Sequence, residues 1–356
     1  MATTVFLTGI NGFIGREIAI ELINRGYKVR GSVRYIDEID ETHQLIIDAT
    51  GAQSSDLSLV ALELNNPSGW NEAMAGCSKL VHTAAPLFAK MPKNEQEAIA
   101  PSVNGTKTAL KAAQSAGVDH VIVTSSITAI SEGHSVGGAD TFTEDDWSDL
   151  DAGTITPYAK AKTLGEREAW AFANAPDCAF ALTTLLPGVT IGPMRAYAMP
   201  ESLTMLSRLM LRFDPMLPNF GFPYVDVRDV ARLHVDALET PATHGQRIAL
   251  TNGFLWYADI AKIVDQHFPE LNVIKRKAPS WFIRACAPFK RRLQAIVPNL
   301  DRYADVSNQK AQTTLGADFR PLEQSIIDTV ESIIEFRPHN FENRLECGAK
   351  STDFNA

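Results

Sequence analysis

The chain has 356 residues, 45% hydrophobic and 21% charged, a balance that places it among globular proteins large enough for two domains or one large domain with an appended lobe. A net charge of -9 and a pI near 5.4 argue against a nucleic-acid or anionic-membrane surface, and the short Lys290-Arg291-Arg292 cluster reads as a solvated helix face. Cys77, Cys178, Cys286 and Cys347 are far apart, with no C-x-x-C pair and no His/Cys cluster, so neither a disulfide framework nor a metal site is expected.

The first strand is expected almost at once, at residues 4–8 (TVFLT), which leaves no room for a signal peptide; no apolar stretch approaches membrane length, and a cytoplasmic protein is expected. Ile14, Ile18 and Leu22, with Ala19 and Ile23, then recur at helical spacing until Gly26 stops the helix. Between strand and helix stand Gly9, Gly12 and Gly15, spaced G-x-x-G-x-x-G instead of G-x-G-x-x-G. Glycines make turns for many reasons, but a strand that runs through them into a helix turns unpaired N–H groups toward an anion and lets a pyrophosphate approach.

The second strand, residues 27–33, ends in V-R-G-S-V-R with Arg34 at its tip and no acidic residue until Asp37. A cation there accommodates a 2′-phosphate, where an acid would take the ribose hydroxyl, so NADP(H) is favoured over NAD(H). A third strand at residues 57–64 places Glu63 and Leu64 to meet the adenine. Further strands are expected at 79–84, 121–126 and 180–186, with helices at 98–116 and 158–174, the βαβ rhythm of an α/β protein with an open parallel sheet covered on both faces. After Pro193 the rhythm changes to a Met- and Leu-rich stretch at 203–217 and helices at 225–238, 256–267 and 324–336. Residues 338–356 are polar and without periodicity and are expected to be a mobile tail.

Tyr158 and Lys162, in Y-A-K-A-K, lie four apart and therefore share a helix face. A phenol ordinarily holds its proton too tightly for exchange at neutral pH, and a nearby ammonium favours its release. The V-T-S-S run supplies Ser125 and Ser126 at the end of the fifth strand, where a hydroxyl can polarise a substrate carbonyl.

With these motifs in order the chain resembles the extended short-chain dehydrogenase/reductases, and within them the dihydroflavonol-4-reductase-like carbonyl and aldehyde reductases. The resemblance spans residues 5–336 and rests on T-G-I-N-G-F-I-G, V-R-G-S-V-R, V-H-T-A-A-P, V-N-G-T, V-T-S-S, P-Y-A-K-A-K, L-P-G-V-T-I-G-P and Y-V-D-V-R-D-V-A. It implies a Rossmann-type doubly wound parallel sheet, mainly within residues 1–192, and a smaller C-terminal substrate-binding lobe, mainly within 193–337, some of whose segments return to the first domain. By the same resemblance Ser126 is the catalytic serine, Tyr158 the proton donor in reduction, and Lys162 the residue that holds the nicotinamide ribose and tunes Tyr158. Gly9, Asn11, Gly12, Phe13 and Ile14 fall at the pyrophosphate, Arg34 at the 2′-phosphate, and Glu63 and Leu64 at the adenine. Thr83, Ala84 and Ala85 fall along the ribose, and Pro187, Gly188 and Val189 beside the nicotinamide. Ser202 is a weaker phosphate candidate, and Asn104 matches an asparagine of the proton relay or else terminates or bends a helix.

Departures narrow the substrate. T-S-S-I-T-A-I-S puts Ser131 where plant dihydroflavonol reductases carry a flavonoid-contacting asparagine, which argues against a flavonoid. The acidic run Asp37, Glu38, Asp40 and Glu41 stands where those enzymes have a lysine, Glu63 replaces their usual Asp, and T-I-T-P-Y replaces the N-W-Y-C-Y of cinnamoyl-CoA reductases, so a thioester is not supported.

His82, inside an apolar strand end, reads as a hydrogen-bonded core histidine, and Asp226 and Asp229 as residues that cap and tie down the following helix. Segments 87–91, 127–135 and 195–222 are expected around the substrate, with Phe88, Tyr197 and Phe220 as pocket residues. Leu203, Leu206, Met210 and Phe213 form an amphipathic stripe, read as lobe core over pocket wall. The expected activity is NADPH-dependent reduction of an aldehyde or ketone by a monomer or homodimer with a small-molecule substrate and no nucleic-acid or membrane partner. The alternatives are a sugar-nucleotide epimerase or dehydratase, a 3β-hydroxysteroid dehydrogenase and, in another class, a dinucleotide-sensing regulator.

Overall fold

A computed structural model describes residues 3–85, 95–134 and 139–337. The chain begins with β1 (Thr4–Thr8), passes through α1 (Phe13–Asn24) to β2 (Lys28–Val33), and repeats the step through α2 (Ile39–Thr50) to β3 (Leu57–Ala61). It then crosses to the other side of β1, where α3 (Trp70–Met74) leads to β4 (Lys79–His82) and α4 (Glu95–Ala116) to β5 (His120–Thr124). A short β6 (Ala139–Phe142) precedes α5 (Pro157–Ala173) and β7 (Ala181–Pro187). Beyond β8 (Val189–Ile191), α6 (Thr204–Met210), β9 (Gly221–Asp226) and α7 (Val227–Glu239), the chain returns as β10 (Arg247–Leu250). The remainder comprises β11 (Phe254–Trp256), α8 (Tyr257–His267), α9 (Ser280–Cys286), α10 (Arg291–Ile296), β12 (Tyr303–Val306), α11 (Gln309–Leu315) and α12 (Leu322–Phe336).

Seven strands form one parallel sheet in the order β3-β2-β1-β4-β5-β7-β10. Central strands of such a sheet are covered on both faces, which is why β1 and β5 read as unbroken apolar runs. Alternation along β1 divides its side chains: Val5 and Leu7 join Ile18, Leu22, Val230 and Leu233 beneath α1 and α7, while Phe6 joins Trp70, Met74, Leu110 and Ala169 beneath α3, α4 and α5. Strand order reverses between β1 and β4, and the crevice at their carboxyl ends is where ligands bind in open sheets of this kind. The expected doubly wound parallel sheet is therefore present.

A second layer, the sheet β11-β9-β8 with α6, α8 and α12, packs around Leu203, Leu206, Met210, Tyr224, Tyr257 and Val330. The first three belong to the amphipathic stripe and are core, whereas Phe213 is exposed. Phe220, expected in a pocket, is instead buried with its ring stacked on Tyr257 at 5.1 Å. The helix expected from residue 225 starts at Val227, because Val225 and Asp226 still pair with β8. Asp226 accepts from the Arg228 N–H as the cap of α7, and Asp229 accepts from the backbone and guanidinium of Arg320.

Cys77, Cys178 and Cys286 are free thiols. Among the described residues no helix is long and apolar enough to cross a membrane, and no group of three His, Cys, Asp or Glu could hold a metal. The expectations for segment 87–91, Phe88, Ser135, Cys347 and the 338–356 tail lie outside the described residues.

Candidate active site

The turn from β1 into α1 is possible only with glycine at two places. Gly9 has φ +67°, and a Cβ at Gly15 would stand 2.2 Å from the Gly9 carbonyl oxygen. Gly12 caps α1 with no side-chain hydrogen bond, so the first-turn N–H groups of Phe13 and Ile14 stay free for an anion, favoured there by the helix dipole. The loop is held from behind by Arg16, whose guanidinium donates to the Asn11 carbonyl at 2.7 Å. Arg195, just past β8, pairs with the buried Glu17 and ties the second layer to α1.

The ends of β1 and β4 are locked through one hydroxyl. Thr8 Oγ1 accepts from the Thr83 and Ala84 N–H groups, each at 3.1 Å, which leaves its own proton to donate to His82 Nδ1 at 2.9 Å. His82 is thereby a neutral core histidine, and burial, with a smaller push from Lys162, holds its pKa down to about 4. These bonds set Thr83 and Ala84 beside the glycine loop, with the Ala84 backbone 3.0 Å from where a Gly9 Cβ would stand.

At the tip of β2, Arg34 Nε donates to Glu63 at 3.1 Å and the guanidinium lies 5.2 Å from the centre of the Tyr35 ring. Glu63 and Leu64 follow the end of β3, which stops at Ala61 instead of running to 64. The Trp70 indole donates to the Glu63 carbonyl at 3.2 Å and Leu64 rests against Gly105 of α4, so this stretch has a fixed course. The Glu38 carboxylate accepts from the Tyr35 N–H at 3.0 Å and closes the turn after β2. The residues read as two separate parts of a 2′-phosphate and adenine site are one ion pair.

Ser126 follows β5 in extended backbone, and its Oγ accepts from the Thr128 N–H at 3.2 Å, leaving the hydroxyl proton to donate. Thr156 caps α5 by accepting from Ala159 at 3.1 Å, and Pro157 opens the first turn, which puts Tyr158 at the front of the helix, 47% exposed. One turn on, Lys162 donates to the Thr124 carbonyl at 3.3 Å, so α5 meets the end of β5 two residues before Ser126. Pro187, Gly188 and Val189 cover the passage from β7 to β8. Gly188 is pressed against the Pro223 carbonyl, 2.6 Å from where a Cβ would stand.

Asn104 is exposed in the middle of α4 and ends no helix, and Ser202 lines a small apolar cavity with Ile191, Tyr224, Tyr257 and Ile326. Ser131 is buried, its hydroxyl directed to the Ile127 carbonyl at 3.4 Å, while Arg302 donates to its backbone oxygen.

A buried network behind Ser126 has no counterpart in the sequence expectations. Glu166, one turn beyond Lys162, accepts from Ser125 Oγ at 2.6 Å, Thr184 Oγ1 at 2.8 Å and Arg247 Nε at 2.7 Å. Arg247 also lies 3.6 Å from the centre of the Trp147 ring and donates to the Glu144 and Asp146 carbonyls. The available signal was a carboxylate spaced i+4 from Lys162 and therefore pointing inward. Its cation, on β10, is far away in sequence.

A sequence profile of the NAD dependent epimerase/dehydratase family matches residues 5–250. Cinnamoyl-CoA reductase 2 of Arabidopsis thaliana is 31% identical over 333 residues, covering 93% of this chain and 92% of that one. Cinnamoyl-CoA reductase CAD2 of Medicago truncatula is 28% identical over 339 residues, covering 94% and 97%. Among solved structures, yeast methylglyoxal/isovaleraldehyde reductase Gre2 complexed with NADPH superposes with a TM-score of 0.77 at 25% identity, covering 94% of this chain and 99% of that one. The chain belongs to the NAD dependent epimerase/dehydratase family, as an extended short-chain dehydrogenase/reductase of the dihydroflavonol-4-reductase-like kind.

Proposed function

We propose that this chain reduces an aldehyde or ketone to an alcohol with NADPH, Ser126, Tyr158 and Lys162 being its catalytic residues. The observation that carries the reading is the meeting of Ser126, with a free hydroxyl proton, and the Tyr158–Lys162 face of α5 at the carboxyl end of β5. The similarity to reductases, one of them complexed with NADPH, supports it.

The residues present fit a phosphorylated dinucleotide. The cradle between Gly9 and Gly15 has no room for a Cβ, α1 offers uncapped N–H groups, and Arg34 engages Glu63 only through Nε, which leaves its terminal nitrogens for a 2′-phosphate. When bound, NADPH supplies the hydride that goes to the carbonyl carbon. Ser126 donates its hydroxyl to the carbonyl oxygen and fixes its orientation. Tyr158 gives its phenolic proton to that oxygen as negative charge develops there. The Lys162 ammonium stabilises the resulting phenolate and orients the ribose. Asn11, Phe13 and Ile14 line the pyrophosphate, Glu63 and Leu64 the adenine, Thr83, Ala84 and Ala85 the ribose, and Pro187, Gly188 and Val189 the nicotinamide.

The test is NADPH consumption with aromatic and aliphatic aldehydes and ketones and a coenzyme A thioester, together with product analysis on a nucleotide sugar, whose epimerisation or dehydration returns the hydride and consumes no NADPH. Turnover of the simple carbonyls is expected, falling by about 10²–10⁴ in Tyr158→Phe, the usual worth of a general acid, while NADPH still binds. Turnover of the thioester alone, of the nucleotide sugar alone, or of nothing in the panel would each overturn the reading.

A further inference from the structure

The charge of -9 is unevenly spread. Residues 272–300 contain Lys275, Arg276, Lys277, Arg284, Lys290, Arg291 and Arg292 and no Asp or Glu, so the rest of the chain is more acidic than the total implies. This basic stretch also carries three of the large apolar side chains most open to solvent: Trp281 is 71% exposed, Phe289 86% and Phe282 39%. They do not belong to a loose segment. Ile283, Ala278 and Leu300 form a small core of their own, packed by Met216, Leu293, Ile296 and Val297, and this core fixes α9 and α10 with the aromatics facing outward. At the rim Lys275 pairs with Asp265 and Arg284 with Asp301, whereas among the described residues no carboxylate pairs with Arg276, Lys277 or Lys290.

We propose that α9, α10 and the segment just before them form a docking face for an anionic lipid surface. Trp281, Phe282 and Phe289 enter the headgroup layer while Arg276, Lys277 and Lys290 meet lipid phosphates. Exposed aromatics flanked by cations are the side chains that settle at a lipid interface, and each cation near an anionic leaflet adds to the attraction. The acidic remainder of the molecule is repelled by the same surface, so the charge distribution selects this one orientation. The contact is peripheral and needs no spanning helix.

The test is co-sedimentation of the full chain with vesicles of phosphatidylcholine alone and of a three-to-one mixture of phosphatidylcholine and phosphatidylglycerol. Binding to the mixed vesicles only is expected, weakening with added salt as the screening length shortens from about 10 Å at 0.1 M to about 3 Å at 1 M. Lys290→Glu should lower it at least about fivefold, the worth of one cation near such a surface. Trp281→Ala with Phe289→Ala should lower it comparably, with melting and NADPH turnover unchanged since these side chains are exposed and are not among the residues assigned to the site. Lys111→Glu, exposed on α4, should have no effect. No binding, equal binding to both vesicles, or an equal loss in Lys111→Glu would overturn the proposal. Retention on polyglutamate but not on vesicles would reassign the face to an acidic protein, and a change of solution mass in the double aromatic variant would reassign it to a second copy of the chain.

Discussion

Arg34 and Glu63 form one ion pair at the expected 2′-phosphate position, so replacing each in turn should move cofactor preference in opposite directions. Arg34 is engaged through Nε at 3.1 Å, with side chains 58% and 41% exposed. Arg34→Gln removes charge-assisted hydrogen bonds from the 2′-phosphate, worth about 1.5–3 kcal/mol, or roughly 10- to 150-fold in kcat/KM for NADPH. NADH, which lacks that phosphate, should lose little. Glu63→Gln works the other way. Its carboxylate stands about 6 Å from a phosphate held on the far side of the guanidinium, and at the dielectric of water this repulsion is about 1 kcal/mol for a group of charge near -1.5 to -2. Physiological salt, with a screening length of about 8 Å, reduces it by roughly half. NADPH should therefore improve about two- to fourfold, more at low salt, with NADH unchanged. The assay is kcat/KM for both cofactors at two ionic strengths. Equal losses with NADPH and NADH in Arg34→Gln, or weaker use of NADPH in Glu63→Gln, would refute the reasoning.

The Glu166–Arg247 pair is buried, so Arg247→Met strands a carboxylate and should cost about 3–5 kcal/mol in urea unfolding. Glu166→Leu with Arg247→Met should be no worse than the single change, and a coupling energy below about 1 kcal/mol would count against the network. His82, His120 and His234 are each held down to about 4, chiefly by burial, with a lesser push from Lys162 on His82 and from His244 on His120. Each folded value lies below the unfolded 6.5, so the unfolded chain binds more protons between the two values. Stability is full above about pH 6.5 and should fall by up to about 3 kcal/mol per histidine as pH drops to about 4. Urea unfolding across that window measures it, and a flat profile would contradict the assignment. Gly15→Ala drives a Cβ into the Gly9 carbonyl and should abolish NADPH binding in a fluorescence titration; unchanged affinity would show that the turn has room.

The elements legible in the sequence are those whose logic is local. TVFLT, the three glycines and the helical repeat from Ile14 specify β1, the turn and α1 within about twenty residues, and the spacing of Tyr158 and Lys162 needs only one helix. Strand ends were harder. The 57–64 run reads three residues past Ala61, the last residue in register with β2, because Leu62, whose N–H still donates to Val33, and Leu64 pack on the core beneath α3 and α4, and the 79–84 run outlasts the pairing that ends at His82. Phe220 departs from expectation for the opposite reason: an aromatic beside an irregular stretch resembles a pocket wall until Tyr257, from a distant helix, covers it. The Thr8–His82 lock, the Glu17–Arg195 tie and the Glu166–Arg247 pair all join residues far apart along the chain, and single-sequence periodicity carries no information about such meetings.

The seventh strand has a consequence for how the protein is made. β10 follows the excursion through β8, α6, β9 and α7, yet it completes the main sheet beside β7 and delivers Arg247 to Glu166. During synthesis from the N-terminus, a nascent chain that has emerged only as far as residue 192 carries six of the seven strands and a carboxylate whose cation has yet to emerge. The main sheet therefore cannot reach its final packing until residue 250 has emerged. A fragment cut after residue 192 has an open sheet edge at β7 and an unneutralised charge behind the candidate catalytic serine.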